Sequence, residues 1–149
     1  MTQIRIQNLQ SFNLDLERFA SVVMPEQHLA FQKKIALDLL KDIVFRTPVG
    51  NPDLWKVPIA PAGYVGGRAR GNWQVGLNAT TENELSRIDS GGGSTVSDGS
   101  GTILSAMPFG VIWLFNNVPY IGALERGHSG QAPSGMVRLA LAAVEAIAP

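Results

Sequence analysis

Residues 111–138, VIWLFNNVPYIGALERGHSGQAPSGMVR, predict in order a strand, a polar break, a short helix, a glycine-rich break and a final helix. The apolar run 111–115 has β-branched and aromatic members, which is typical of a strand covered on both faces. Asn116 and Asn117 should end this strand, because short amide side chains favour turns. Pro119 presets the backbone for the first turn of the short helix. The stretch contains no catalytic motif, so its meaning must come from packing, assembly or resemblance.

Length and charge limit the classes of protein to consider. A chain of 149 residues is the size of a single domain, and an apolar fraction of 45% is ordinary for a folded protein. Lys plus Arg and Asp plus Glu both number 12, so the formal charge is zero. This balance argues against a free-standing nucleic-acid binder, which would carry a basic excess. It also does little to oppose self-association, and it favours a subunit over a monomer.

The sequence contains no cysteine, which excludes disulfides, thiolate nucleophiles and cysteine-based zinc sites. The first twelve residues lack the basic segment and apolar core of a signal peptide. No apolar run approaches the roughly 20 residues that span a bilayer. We therefore expect a soluble protein that makes no contact with a membrane and is made in the cytoplasm of its cell.

The first third of the chain predicts an N-terminal arm and one long helix. Residues 1–12 should form the arm, with Ile4 and Ile6 in a short strand or extended piece, before a short helix capped by Asn13. A second and longer helix should open at Pro25 and end near Arg46. Its apolar stripe consists of two neighbouring rows, and successive members of each row are four residues apart. The rows are Ile35, Leu39, Ile43 and Ala36, Leu40, Val44.

The remaining pattern predicts an α+β fold, with long helices on a small, mostly antiparallel sheet and long loops between the elements. Residues 48–71 are rich in Pro and Gly, with a brief extended piece at 56–59, and residues 89–101 are a Gly/Ser tract; both should be loops that reach neighbouring chains. Residues 72–78 alternate as a half-buried strand. Further helices are predicted over residues 102–107, capped by Ser100, and over residues 137–147.

Candidate chemistry is sparse. Glu125 and His128 are three residues apart and could share one face of a helical turn, but a metal site needs three or four ligands. The plainer interpretation is that Glu125 caps or pairs locally and that His128 lies in a turn. Arg68 and Arg70 could contact nucleic acid, although ion pairs between subunits suit the zero net charge better. Five aromatic side chains near loops are candidate interface anchors: Trp55, Tyr64, Trp73, Trp113 and Tyr120.

Two motifs carry a family resemblance. The first runs from TPV, at residues 47–49, to the segment YVGGRARGNW, at residues 64–73. The second is NNVPYIGALERGHSGQAPSGMV, at residues 116–137. Together they resemble the tail-completion or minor tail (neck) proteins of long-tailed bacteriophages, the family of protein Z of phage lambda.

The resemblance implies a structural virion protein without catalytic residues, cofactor or metal. Copies would form a ring, a homohexamer, at the head–tail junction, in contact with neck and tail proteins, with DNA passing through the lumen. The family motifs fall on Thr47, Pro48, Tyr64, Arg68, Arg70, Asn72, Trp73, Asn116, Asn117, Pro119, Tyr120, Glu125, Gly127, His128, Ala132, Pro133, Gly135, Met136 and Val137. These residues would shape the fold and the ring contacts.

Three alternatives stay open at this stage. Within the same class, the protein could be a tail terminator, which caps the tail tube and stops its polymerisation. From a different class, it could be a small metal-dependent hydrolase using Glu125 and His128. A DNA-binding module using Arg68 and Arg70 is the third, and it would show steeply salt-dependent duplex binding.

Overall fold

A 38-residue helix, α1, is the longest element in the computed structural model of the protein, which describes residues 8–54, 60 and 62–146. It is α-helical over Leu9–Arg18, π-helical over Phe19–Val23 and α-helical again over Met24–Arg46. The predicted helix starts at Asn13 and Pro25 are both wrong. The N-cap is Asn8, in the left-handed conformation with φ of 67°. The predictions for residues 1–7, Trp55 and 56–59 lie outside the described residues.

Pro25 does not begin a helix because the turn before it is π-helical. Proline lacks the N–H that an interior helical position normally donates, so a helix usually breaks or kinks there. A π turn shifts hydrogen bonding from the fourth to the fifth residue back, which accommodates such a discontinuity without ending the helix. Arg18 and Met24, on either side of the turn, both keep right-handed helical angles.

The predicted end of α1 and its predicted apolar stripe are confirmed. The helix stops at Arg46, and Thr47 is extended with ψ of 122°, the geometry that the following Pro48 favours. Ala36, Leu40, Ile43 and Val44 are buried, and they pack in one cluster with the buried residues Trp73, Ile103, Met136 and Ala140.

The sheet of the described residues has two antiparallel strands, β1 (Trp73–Leu77) and β2 (Ile112–Asn116). Trp73 is opposite Asn116, and Leu77 is opposite Ile112. The prediction that the second strand is covered on both faces is wrong. Side chains alternate across a strand, so Ile112 and Leu114 pack against the core while Trp113 remains 47% exposed.

The Gly/Ser tract is a helix, which corrects the predicted loop at 89–101. Helix α3 (Gly93–Leu104) packs on α1 and β1, and it replaces the predicted helix at 102–107 with its Ser100 cap. The residue before it, Gly92, is the N-cap in the left-handed conformation, with φ of 78°. Gly99 faces the core, where an added Cβ would lie 2.5 Å from Leu40 Cδ2. Small residues therefore allow close packing, which outweighs the low helix propensity of glycine.

The other elements are short. Segment 48–71, predicted as a loop, contains a 3₁₀ turn (Pro52–Leu54) and helix α2 (Arg68–Gly71). Helices α4 (Ile121–Glu125) and α5 (Val137–Glu145) confirm the two helices predicted after the second strand. Within the described ranges, no helix is long and apolar enough to cross a membrane. The α+β fold class is confirmed.

Candidate assembly surfaces

Thr47 joins the end of α1 to the start of β1. Its side-chain hydroxyl donates to the Ile43 carbonyl at 2.7 Å and accepts a hydrogen bond from Trp73 Nε1 at 2.7 Å. Thr47 is fully buried and Trp73 is 5% exposed. Buried polar groups are costly unless they are paired. These two hydrogen bonds therefore tie the start of β1 to the end of α1. Trp73 is a core residue rather than an interface anchor.

Arg70 makes four hydrogen bonds to backbone carbonyls of its own chain, and its ion pair between subunits stays a prediction. Its guanidinium donates to the Thr47 carbonyl at 2.8 and 3.0 Å, to the Phe45 carbonyl at 3.2 Å and to the Ser90 carbonyl at 2.6 Å. The carbonyls at a helix C-terminus lack partners within the helix, and a cation satisfies them well. Arg70 thus closes α1 and anchors the segment that leads into α3.

Two asparagines hold irregular backbone against the sheet. Asn72 is fully buried; its Nδ2 donates to the carbonyls of Arg68 and Leu85 at 2.9 and 3.0 Å, and its Oδ1 accepts from Leu85 N–H at 2.7 Å. Asn116 Nδ2 donates to the Ala69 carbonyl at 2.8 Å. Both amides replace backbone partners that a two-stranded sheet cannot supply.

Asn117 extends the same arrangement to the segment between β1 and α3. Its Nδ2 donates to the carbonyls of Thr81 and Asn83 at 2.7 and 2.9 Å. Segment 79–90 contains no helix or strand. Side-chain amides of the second motif therefore position it.

Sequence reasoning missed Arg87 and Asp89. Arg87 donates to the carbonyls of Gly71 and Trp73 at 2.7 and 3.2 Å and pairs with Asp98 at 2.5 Å. Asp89 caps α3: its carboxylate accepts from Gly92 N–H and from both the N–H and the hydroxyl of Thr95, each at 2.8 Å. An acidic residue shortly before the Gly/Ser tract was the available signal.

The pKa of Asp89 reflects this cap. Burial raises it, but the hydrogen bonds from Thr95 and Gly92 outweigh burial and hold the pKa below the ordinary value of 3.8. The charged carboxylate is therefore the form that stabilises the start of α3.

Glu125 caps helix α5 from a distance, which confirms the plainer interpretation of this residue. Its carboxylate accepts from the N–H groups of Met136 and Val137 at 2.9 Å each and of Arg138 at 3.1 Å. Burial raises the pKa of Glu125, but these three hydrogen bonds and the Arg138 charge bring it below the ordinary 4.5. His128 lies exposed outside any helix or strand. Among the described residues, no group of three or more His, Cys, Asp or Glu could hold a metal ion.

The corner between α4 and α5 depends on two glycines with positive φ. Gly127, with φ of 82°, packs against the Pro133 backbone, and Gly135, with φ of 77°, lies where an added Cβ would be 2.5 Å from the Glu125 carbonyl oxygen. Ala132 and Met136 are buried beside them. This part of the second motif is a packed corner that leads into α5.

Arg68, Glu84 and Tyr120 form a partly exposed cluster. Arg68 makes a two-point ion pair with Glu84 at 2.5 and 2.8 Å, and its guanidinium lies 5.9 Å from the Tyr120 ring centroid. Hydrogen bonding to Glu84 raises the pKa of Arg68 and lowers that of Glu84, while burial raises the pKa of Tyr120. Arg68 and Tyr120 of this cluster line a depression of about 970 Å³, together with Pro48, Tyr64 and His128. Arg68 therefore has an acidic partner within the chain, and its contact with another subunit stays a prediction.

A second depression, the apolar groove, lies between the second half of α1, β2, α4 and α5. Its volume is about 710 Å³. Apolar side chains from all four elements form its wall: Phe31, Ile35, Leu39, Leu114, Ile121 and Leu141. Phe31 and Leu141 are 48% and 46% exposed, so the groove is open to solvent.

Comparisons of the chain with protein-family models, with curated proteins and with solved structures found no match in any of the three. The described geometry is thus the basis for a functional proposal. Thr47, Arg70 and Trp73 of the first motif are joined by hydrogen bonds, and Gly135, Met136 and Val137 of the second motif lie around Glu125. Of the aromatic candidates, Tyr64, Trp113 and Tyr120 remain accessible.

Proposed function

We propose that the protein is a structural subunit of a ring at the head–tail junction of a long-tailed phage. In this role it completes the proximal end of the tail, helps to join the tail to the head and lets DNA pass. The chain acts by assembly and without catalysis, cofactor or metal.

The observation that carries the proposal is the contrast between satisfied polar groups and exposed apolar surface. The polar motif side chains Thr47, Arg70, Asn72, Asn116 and Glu125 are engaged in hydrogen bonds within the chain. In contrast, the described surface includes an open apolar groove and a set of exposed large apolar side chains on the first part of α1. Large contiguous apolar patches mark interaction sites in folded proteins. An assembly subunit needs such surfaces. The family resemblance, which the two motifs carry, supports a phage neck as the particular assembly.

The hydrolase alternative is weakened by Glu125. A general base or metal ligand needs a carboxylate oxygen directed at substrate or ion, whereas both oxygens of Glu125 accept backbone hydrogen bonds at the start of α5. The DNA-binding alternative is weakened in the same way, because Arg68 and Arg70 have partners within the chain. The proposal therefore gives neither alternative a role.

Light scattering on the purified chain and electron microscopy of phage tails test the proposal. We expect a closed oligomer in solution and density from the added protein at one end of isolated tails. A monomer at high concentration that binds no tails would contradict the proposal.

Deletion of the gene from the encoding phage distinguishes completion from termination. Loss of a completion protein should leave tails of normal length that join heads poorly. Tails of uncontrolled length would instead assign the chain to the terminator role.

A His128→Ala variant tests the hydrolase alternative. It should still give infectious particles, and loss of infectivity with an intact ring would favour the hydrolase.

A further inference from the structure

The first part of α1, residues 9–23, is an amphipathic helix whose main packing contacts lie within α1 itself. None of its residues is buried, and its contacts are mainly with the next turns of the same helix. We call it the distal segment. Helices in water owe most of their stability to an apolar face packed on something else. This face is therefore an unused packing surface.

Four apolar residues of the distal segment form a continuous stripe. Leu9, Phe12, Leu16 and Phe19 follow the alternating spacing of three and four residues that places side chains on one helix face. Each is between 51% and 55% exposed. The opposite face carries Gln10, Ser11, Asp15, Glu17, Arg18 and Ser21, together with Leu14. The segment therefore has one apolar face and one mainly polar face.

The apolar groove of the same chain matches this stripe in chemistry and length. On its α1 wall, Phe31, Ile35 and Leu39 recur every four residues, and the lining runs from His28 to Ile43. At a rise of 1.5 Å per residue, this wall is about 22 Å long and the stripe from Leu9 to Phe19 is about 15 Å long. The stripe would fit within the groove.

The distal segment cannot reach the groove of its own chain. The groove lies beside Met24–Arg46, and the distal segment continues that same helix away from it without a break. A helix of 38 residues is about 57 Å long, and folding it back would require at least one turn to unwind. A distal segment that lies in the groove must therefore come from another copy of the chain.

We propose that the distal segment of one copy lies in the apolar groove of a second copy. The inference rests on the proposed function, because it names the contact that joins neighbours in the ring. Covering the four stripe side chains and the groove wall removes on the order of several hundred Å² from water, the size of a weak contact, and a closed ring makes this contact between every pair of neighbours. A contact between two different surfaces is head-to-tail, and it closes into a ring when the rotation between copies permits.

A matched pair of leucines tests the contact. Leu16, in the stripe, is 54% exposed, and Leu14, on the opposite face of the same helix, is 59% exposed. Leu16→Glu should raise the concentration at which the oligomer dissociates by at least about tenfold, the effect of about 1.4 kcal/mol, whereas Leu14→Glu should leave it unchanged. Light scattering across a dilution series measures this, with circular dichroism to establish that both variants stay helical. Equal behaviour of the two variants would overturn the inference.

The absence of cysteine allows an independent test by crosslinking. Copies with Leu16→Cys are mixed with copies carrying Phe31→Cys, at the mouth of the groove, and treated with a short bis-maleimide. A crosslinked heterodimer should form in this mixture and far less with Leu14→Cys in place of Leu16→Cys. Efficient crosslinking of Leu16→Cys to itself would mean that two distal segments pair with each other, and it would overturn the inference.

The outcomes separate this inference from the proposed function. A ring that binds tails and survives Leu16→Glu would contradict the groove contact and leave the proposed function standing. Association through the groove by a chain that binds no tails would support the contact and contradict the proposed function.

Discussion

Thr47 is the residue on which the largest number of local structures depends. Its hydroxyl donates to the Ile43 carbonyl and accepts from the Trp73 indole N–H. Its own carbonyl accepts two hydrogen bonds from Arg70. Removing the hydroxyl leaves the buried indole N–H without its acceptor, which costs about 1–3 kcal/mol.

We therefore expect Thr47→Val to lower the free energy of unfolding by about 1–3 kcal/mol, measured by urea titration. Thr102→Val is the control, since the Thr102 hydroxyl makes an exposed bond of 3.3 Å within α3. Thr47→Ser, which keeps the hydroxyl, should recover much of the loss. A Thr47→Val variant as stable as the control would show that Trp73 finds another acceptor.

Glu125 should make stability depend on acid. Its pKa in the folded chain lies below the ordinary 4.5, so its contribution is complete above that value and is lost as the pH falls through the folded pKa. Glu125→Gln should cost about 0.5–2 kcal/mol at pH 6, the usual worth of a helix cap. The difference from wild type should shrink between about pH 5 and pH 3.

Unfolding by urea at several pH values measures this effect. Glu82→Gln, at an exposed position, is the matched control and should change little at any pH. A difference between wild type and Glu125→Gln that is constant from pH 6 to pH 3 would contradict the role of the charged carboxylate.

Residue-scale predictions from sequence succeeded where a motif limited the choice. The motifs included Thr47, Asn72, Trp73 and Glu125, all of which shape the fold. The partners of Arg68 and Arg70 within the chain were not predicted, because local sequence cannot show that segment 81–90 passes beside them. A partner distant in sequence is visible only after the chain has folded.

At the scale of the element, α3 is the clearest failure of sequence reasoning. Its composition is that of a flexible linker. The helix forms because Asp89 caps its start and because Gly99 allows close contact with Leu40 and Val75. Tertiary packing outweighs propensity here, and neither contact partner is near in sequence.

Two glycines of α3 separate packing from propensity. Gly101→Ala should stabilise the protein by about 0.5–1 kcal/mol, because an added Cβ meets nothing within 4 Å and alanine favours helix. Gly99→Ala gains the same propensity but crowds Leu40 at 2.5 Å and Val75 at 2.9 Å. We expect it to be about 1–3 kcal/mol less stable than Gly101→Ala.

Thermal and urea unfolding of the two variants provide this comparison. Equal stability would mean that Leu40 and Val75 move aside at little cost, and Gly99 would then be an ordinary helical position.

The strand and helix ends next to Pro and Asn were easier to predict, because those residues act on their immediate neighbours.

For the whole molecule, the zero net charge and the apolar character of both proposed surfaces give a solution test. Assembly that depends on apolar burial is insensitive to screening, whereas charge pairs at a surface weaken as salt rises. We expect the dissociation concentration of the oligomer to change less than about threefold between about 0.05 and 0.5 M NaCl.

Light scattering at the two salt concentrations measures this, with NaCl as the only variable. Dissociation at high salt would place charged groups at the contact instead, and the Arg68 and Glu84 cluster would then be the first candidate.

The α+β class followed from sequence because it requires only the order and type of the elements. The groove did not, since α1 forms it together with three elements that begin more than 60 residues later in the sequence.

The π turn over Phe19–Val23 sets a rotational phase between the two halves of α1. It holds one residue more than an α-helical turn, and each residue of an α-helix turns the following side chains by about 100°. Loss of a single residue there would replace the π turn with α-helical spacing and would rotate Leu9, Phe12 and Leu16 about a quarter of a turn around the axis. The length of this short segment, more than the identity of its side chains, therefore determines which way the stripe faces.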